Sequence, residues 1–67
     1  MFYVDKRKKT PLFEQLYLNI SSFISDGSLP AGTCLPPTRK LAQELDISRT
    51  TVLAAYEQLA AEGYISS

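Results

Sequence analysis

Residues 35–52 read LPPTRKLAQELDISRTTV, and this stretch holds two short helical patterns separated by a tight turn. The first pattern predicts a helix over residues 38–45, and the second predicts a helix over residues 48–62. Asp46 lies in the connection, and Ser48 is a good N-cap for the second of the two helices. Two helices joined by a turn of three or four residues are typical of a helix-turn-helix motif.

Upstream of this pair, residues 11–26 carry apolar side chains at helical spacing and predict a first helix. Thr10 suits the N-cap, and Pro11 suits the first helical position, where its missing N–H costs nothing. Gly27 stands where this helix should end in a left-handed residue. Residues 33–35 have room for a short bridge strand.

Downstream of the helices, Tyr64-Ile65 has strand character, and Ser67 follows almost at once. The predicted fold is therefore mainly α, a three-helix winged helix-turn-helix with a truncated β-wing, over residues 10–67. Residues 1–9 are polar and basic without helical periodicity, so they predict a flexible basic N-terminal arm. We expect the chain to be a fragment of a longer protein.

Composition excludes several classes of function. A chain of 67 residues forms one small domain, and its lack of His removes the commonest metal ligand and general base. Cys34 is the only cysteine, so it has no internal disulfide partner, and we expect it to be a small filler, buried or half-buried. Without a catalytic or metal-binding constellation, an enzyme is not expected. The sequence has no signal peptide or membrane span, so we expect a cytoplasmic protein, at the bacterial nucleoid, with no membrane partner.

The charged residues are clustered although the net charge is zero. Lys6–Lys9 form one basic group, and Arg39, Lys40 and Arg49 form a second. Acidic residues dominate the end of the last predicted helix. We therefore expect a basic pole, suited to phosphate groups, and an acidic pole.

The second helix of a helix-turn-helix enters the DNA major groove by its N-terminal end. Here that end carries Ser48, Arg49, Thr50 and Thr51. Arg49 can bridge O6 and N7 of a guanine, so we assign it to a base. Thr50 is assigned to a base or the backbone, and Ser48 and Thr51 to phosphates. A good helix cap with a solvated first turn is the alternative interpretation.

Two further basic residues lie at the start of the preceding helix. Arg39 stands ten residues before Arg49, and the turn between them can bring both guanidinium groups to one surface. Lys40 is predicted to join them. For both Arg39 and Lys40, a solvated helix face is the alternative. Because one recognition helix reads only a few base pairs, the predicted partner is a double-stranded DNA operator bound by a homodimer.

The stretches LPPTRKLAQEL at 35–45 and ISRTTV at 47–52 resemble the N-terminal winged-helix domain of the GntR family of bacterial transcription regulators. PLFEQL at 11–16 and AYEQLAAEGY at 55–64 are most similar to the MocR-type branch. In that branch the domain is joined to an aminotransferase-like domain that binds pyridoxal phosphate. A YtrA-type branch, with a short helical effector tail, shares several of these residues.

The resemblance implies that Arg39 and residues 48–51 contact DNA, that a wing follows Ser67, and that dimerisation comes mainly from a C-terminal domain. It places no cofactor in this chain. Leu53 departs from the pattern, since some members carry a second Arg there. Asp46 occupies the turn position that is usually Gly, and a left-handed backbone conformation costs more energy for Asp than for Gly. Pro37 stands where the family usually has a Ser before the second helix, and Pro offers no side-chain oxygen to cap that helix.

Two rival functions stay open at the level of the sequence. The same fold can serve as a helical protein-interaction module without DNA, and the chain can be a piece of a catalytic pyridoxal-phosphate enzyme. Substitution of Arg49 by Ala tests the first rival, and cofactor absorbance tests the second. The basic run Lys6–Lys9 is either a solvated linker or an arm attracted to phosphates.

Overall fold

Three α-helices make up the fold. A computed structural model describes residues 2–30 and 32–66, and in these residues α1 spans Leu12–Ser25, α2 spans Thr38–Leu45 and α3 spans Arg49–Ala61, with no β-strand. The predicted mainly α class and the order of the helices are confirmed. Met1 and Ser67, the outer limits of the predicted arm and domain, lie outside the described residues.

The core forms where α3 packs against both other helices. Apolar residues three or four positions apart point to the same side of each helix, so each helix buries one stripe. The fully or almost fully buried apolar side chains are those of Leu16, Ile20, Leu41, Ala42, Val52, Ala55 and Leu59. Because this core holds the helices by their inner faces, the opposite faces of α2 and α3 remain available to solvent.

The turn between α2 and α3 depends on Asp46. This residue is left-handed, with φ 56° and ψ 51°, and it is the only non-glycine residue with positive φ in the part of the chain that the structure describes. The backbone N–H of Ile47 donates to the carbonyl of Ala42 at 3.0 Å and closes the end of α2. Asp tolerates this conformation better than most residues because its short polar side chain bonds locally.

The strands predicted at 33–35 and at Tyr64-Ile65 are absent from the described residues. The N–H of Thr33 closes a turn on the carbonyl of Pro30, and the N–H of Tyr64 donates to Leu59 at the end of α3. A strand needs a hydrogen-bonded neighbour, and neither segment has one here. Strand-forming residue types were therefore not sufficient to form strands.

The N-terminal segment lies against the domain, whereas the sequence predicted a flexible arm. Phe2 and Val4 pack on the core, and the rings of Phe2 and Phe23 are 5.9 Å apart. The backbone N–H of Tyr3 donates to Oδ1 of Asn19 at 3.1 Å. Because Phe2 and Val4 stand at alternate positions, they lie on one face of this extended segment, and that face is buried. The basic run that follows drew the sequence prediction towards a flexible arm instead.

Two smaller predictions are wrong. Pro11, not Thr10, occupies the N-cap position of α1, and no side chain caps that end; the carbonyl of Thr10 instead accepts from Nε2 of Gln15 at 2.8 Å. Cys34 is exposed, neither buried nor half-buried, since it lies in the irregular connection before α2. Among the described residues, no helix has the length and hydrophobicity required to cross a membrane.

Candidate nucleic-acid interface

The N-terminal end of α3 is fixed by Ser48. Its Oγ accepts a hydrogen bond from the backbone N–H of Thr51 at 3.1 Å and lies 2.7 Å from Oγ1 of Thr51. The predicted N-cap is confirmed. As a result Arg49 and Thr50 begin the helix at a defined position, and both are exposed, while Thr51 is half-buried.

The Ser48 cap can be tested by substitution. We expect Ser48→Ala to lower the free energy of unfolding by about 1 kcal/mol, because the N–H of Thr51 loses its acceptor. Ser48→Asp is the matched control, since Asp caps as well as Ser and its charge suits a helix N-terminus. Urea denaturation followed by circular dichroism gives both values. Equal stability of the Ala variant and the unchanged chain would contradict the assignment of the cap.

The two arginines of the helix-turn-helix share one surface. Arg39, Lys40 and Arg49 are all exposed. They border a single shallow concavity that is lined by Pro37, Thr38, Arg39, Lys40, Gln43 and Arg49. We call Arg39, Lys40, Gln43 and Arg49 the arginine patch. The sequence expectation that the turn brings the two guanidinium groups together agrees with this arrangement.

The arginine patch is positively charged, although the net charge of the whole chain is zero. No acidic side chain lines the concavity among the residues that the structure describes. Neither of the two described ion pairs includes Arg39, Lys40 or Arg49. No group of His, Cys, Asp or Glu in these residues could hold a metal ion. The chemistry that remains is attraction and hydrogen bonding to an anion or to a hydrogen-bond acceptor.

Sequence reasoning missed Gln43. It lies four residues after Arg39, so both fall on the same face of α2. That spacing was the signal that could have identified it. The other predicted residues, Ser48, Thr50 and Thr51, stand at the same end of α3 but do not line the concavity.

Tyr56 holds the start of α2 against α3. Its hydroxyl donates to the carbonyl of Pro36 at 2.7 Å, two residues before α2 begins. Burial raises the pKa of Tyr56 to about 12, and the negative charge of Glu44 adds to the effect. The hydroxyl is protonated at neutral pH, as an ordinary tyrosine is, and the raised pKa keeps it a donor further into the alkaline range. This bond joins the helix that carries Arg49 to the segment leading into Arg39.

A comparison with known families identifies the chain. The profile described as "Bacterial regulatory proteins, gntR family" matches residues 12–67, which include all three helices. The chain belongs to the GntR family. The resemblance inferred from residues 35–52 is thereby confirmed, and this is the helix-turn-helix domain of a GntR-family transcription regulator.

Individual relatives agree with this assignment. The HTH-type transcriptional regulator YhdI of Bacillus subtilis is 49% identical over 65 residues, which are 97% of this chain and 14% of the relative. The probable rhizopine catabolism regulatory protein MocR of Rhizobium meliloti is 43% identical over all 67 residues, again 14% of its length. The chain thus spans about a seventh of these two regulators.

A solved structure supports the fold. YtrA from Sulfolobus acidocaldarius, a GntR-family transcription factor, superposes with a TM-score of 0.83 and 38% identity over 90% of this chain and 64% of that chain. The winged helix-turn-helix class predicted from the sequence is therefore confirmed for the three helices.

Proposed function

We propose that this GntR domain binds duplex DNA in a sequence-specific way, with the N-terminal end of α3 in the major groove. The observation that carries the proposal is the arginine patch, where Arg39 and Arg49 from two helices are exposed around one concavity. A helix-turn-helix presents this end of its second helix to base edges, and the preceding helix crosses the backbone.

Each residue takes the role that its chemistry and position allow. Arg49, the first residue of α3, bridges O6 and N7 of a guanine. Arg39 and Lys40, on α2, contact phosphates that flank the groove. Successive residues of a helix point about 100° apart, so Thr50 does not point the same way as Arg49. We assign Thr50 to a neighbouring base or to the DNA backbone.

Ser48 and Thr51 are proposed as phosphate contacts. The Oγ of Ser48 accepts from the N–H of Thr51, and one of the two hydroxyl groups donates to the other. The donor of that pair is occupied, but the hydroxyl that accepts still has its own proton to donate to a phosphate oxygen. The cap is thus compatible with a phosphate contact from one of the two hydroxyl groups at a time.

We infer a regulator of the MocR type that acts as a homodimer in the cytoplasm, at the nucleoid. Support comes from MocR of R. meliloti and from YhdI, which are 43% and 49% identical to the chain, against 38% for the solved YtrA. The chain spans only 14% of each of these two relatives. A YtrA-type regulator is the alternative branch. The coding sequence after Ser67 distinguishes them: several hundred further residues with a Schiff-base lysine support the MocR type, and a short helical tail supports the YtrA type.

The residues of this domain do not fit pyridoxal phosphate. A Schiff-base lysine needs a pocket that desolvates its amine. Each lysine here is exposed instead, namely Lys6, Lys8, Lys9 and Lys40. We therefore propose that the domain is not itself an enzyme and that any such cofactor belongs to another part of the protein.

Selection from a randomised duplex library tests the proposal. The 67-residue chain is expected to enrich a short motif that contains a guanine, and a single mismatch in that motif should weaken binding by about 1–3 kcal/mol. A scrambled duplex of equal length is the control. If the chain enriches no motif and binds every duplex equally, sequence-specific binding fails and the interaction-module function gains support.

A further inference from the structure

One glutamine closes a loop of four basic residues. Oε1 of Gln15 accepts from the N–H of Asp5 at 2.8 Å, and its Nε2 donates to the carbonyl of Asp5 at 3.0 Å and to that of Thr10 at 2.8 Å. Asp5 and Thr10 are the residues on either side of Lys6–Lys9, which we call the basic loop. Within it, the N–H of Lys8 donates to Asp5 at 3.2 Å and forms a turn.

The basic loop is joined to the helix-turn-helix. Nζ of Lys6 lies 3.1 Å from Oδ2 of Asp46, the left-handed residue of the turn between α2 and α3. Such an exposed ion pair adds little stability. Its importance is that it shows where the start of the basic loop lies. Asp46 is three residues before Arg49, and three residues span at most about 11 Å. The loop therefore begins beside the recognition end of α3.

The charges of the basic loop face solvent. The side chains of Lys8 and Lys9 form no ion pair with any described residue, and the side chain of Arg7 is 93% exposed although its Nε contacts Asp5. All seven basic residues of the chain lie either in this loop or in the arginine patch. Asp46 connects the two groups, since it pairs with Lys6 of the loop and lies three residues before Arg49 of the patch.

We propose that the basic loop is a second DNA-contacting surface, which binds phosphates of the backbone next to the groove that α3 enters. This inference rests on the proposed function and extends it to residues outside the helix-turn-helix. A duplex carries one charge per about 1.7 Å of its axis, so about 11 Å of axis on one side of the base pair read by Arg49 carries about six phosphates. The hydrogen bonds of Gln15 order the loop in advance, which reduces the entropy lost on binding.

The salt dependence of binding measures these contacts. Log of the binding constant falls with log of the salt concentration by about 0.9 for each neutralised phosphate. We expect the double variant Lys8→Gln and Lys9→Gln to reduce the slope by about 1.8. Raising NaCl from 50 to 200 mM should therefore narrow the affinity gap between the variant and the unchanged chain by about 12-fold. The loss should be equal for a library-selected and a scrambled duplex.

A charge-matched control separates local contacts from net charge. Ser25→Glu with Ala61→Glu changes the net charge by the same two units at exposed positions at the far ends of α1 and α3. Measured along its own helix, Ser25 is about 20 Å from the start of α1, next to the basic loop, and Ala61 is about 18 Å from Arg49. Both distances exceed the Debye length of about 10 Å at 0.1 M salt. We expect the control to keep the original slope. A control that lowers the slope as much as the lysine variant overturns the proposal.

Gln15→Ala tests the ordering of the loop. It keeps every basic charge, so we expect weaker binding to both duplexes with the original salt slope, provided that circular dichroism confirms the helices. Unchanged affinity would contradict the positioning role of Gln15.

The outcomes distinguish this inference from the proposed function. An unchanged slope in the lysine variant, or a loss confined to the selected duplex, overturns the role of the basic loop. If Arg49→Ala loses discrimination while the lysine variant keeps its slope, only this inference fails. If the unchanged chain binds neither duplex, both fail.

Discussion

Arg49→Ala is expected to weaken binding to a library-selected duplex by about 5- to 150-fold, which corresponds to about 1–3 kcal/mol. Arg49 begins α3, is exposed, and borders the same concavity as Arg39. Removing its guanidinium leaves the acceptor atoms of a guanine unpaired in the groove. Competition titrations that replace each base pair of the selected motif should show relaxed specificity at a single position.

Arg49→Lys is the matched variant for this prediction. It keeps the positive charge but loses the planar fork that contacts two acceptors at once. We expect it to retain binding to a scrambled duplex and to lose most of the discrimination. If Arg49→Ala weakens selected and scrambled duplexes equally, Arg49 contacts only phosphate and its assignment to a base is wrong.

Leu59→Ala should have the largest effect on folding, a loss of about 2–5 kcal/mol in the free energy of unfolding. Leu59 is 0% exposed and belongs to the core where α3 packs. A domain of this size has a total stability of about 3–10 kcal/mol, so the variant should lose a large fraction of its stability. Urea denaturation followed by circular dichroism measures the change.

Leu53→Ala removes the same atoms from the same helix at a position that is 49% exposed. Because about half of Leu53 is already exposed to water, we expect a loss well below that of Leu59→Ala. Similar losses for the two variants would contradict the packing of α3 described here.

The helices could be predicted because their determinants are local. Apolar spacing gave each helix to within a residue or so at its ends, and the oxygen of Ser48 marked the start of α3. The left-handed conformation of Asp46 was expected from the family resemblance, because this turn position usually carries Gly. The strand predictions were wrong because a strand is not determined locally. Residue type favours a strand, but a partner strand decides whether it forms.

The position of the N-terminal segment depends on contacts that no local pattern reveals. Gln15 bonds to residues five and ten positions away, and Lys6 pairs with Asp46 across 40 positions. Composition alone favoured a flexible arm, because four consecutive basic residues are typical of solvated segments. The alternation of Phe2 and Val4 was the one signal for docking.

The candidate site falls between these two cases. The spacing of ten residues between Arg39 and Arg49, together with a turn between them, was enough to expect one shared surface. Gln43 could have been added from its spacing to Arg39, but the shape of the concavity depends on how α2 packs against α3, which the bond from Tyr56 to Pro36 helps to set. Side chains fixed by such tertiary contacts escape prediction from sequence.

The most direct measurement is a double-mutant cycle between Arg49 and the guanine that it is proposed to read. Replacing that guanine by 7-deazaguanine removes only the N7 acceptor. We expect the replacement to weaken binding of the unchanged chain and to have no further effect on Arg49→Ala, because the lost contact is the same one. If the replacement weakens both proteins equally at every guanine of the selected motif, the guanidinium of Arg49 does not read a guanine edge and the central claim is contradicted.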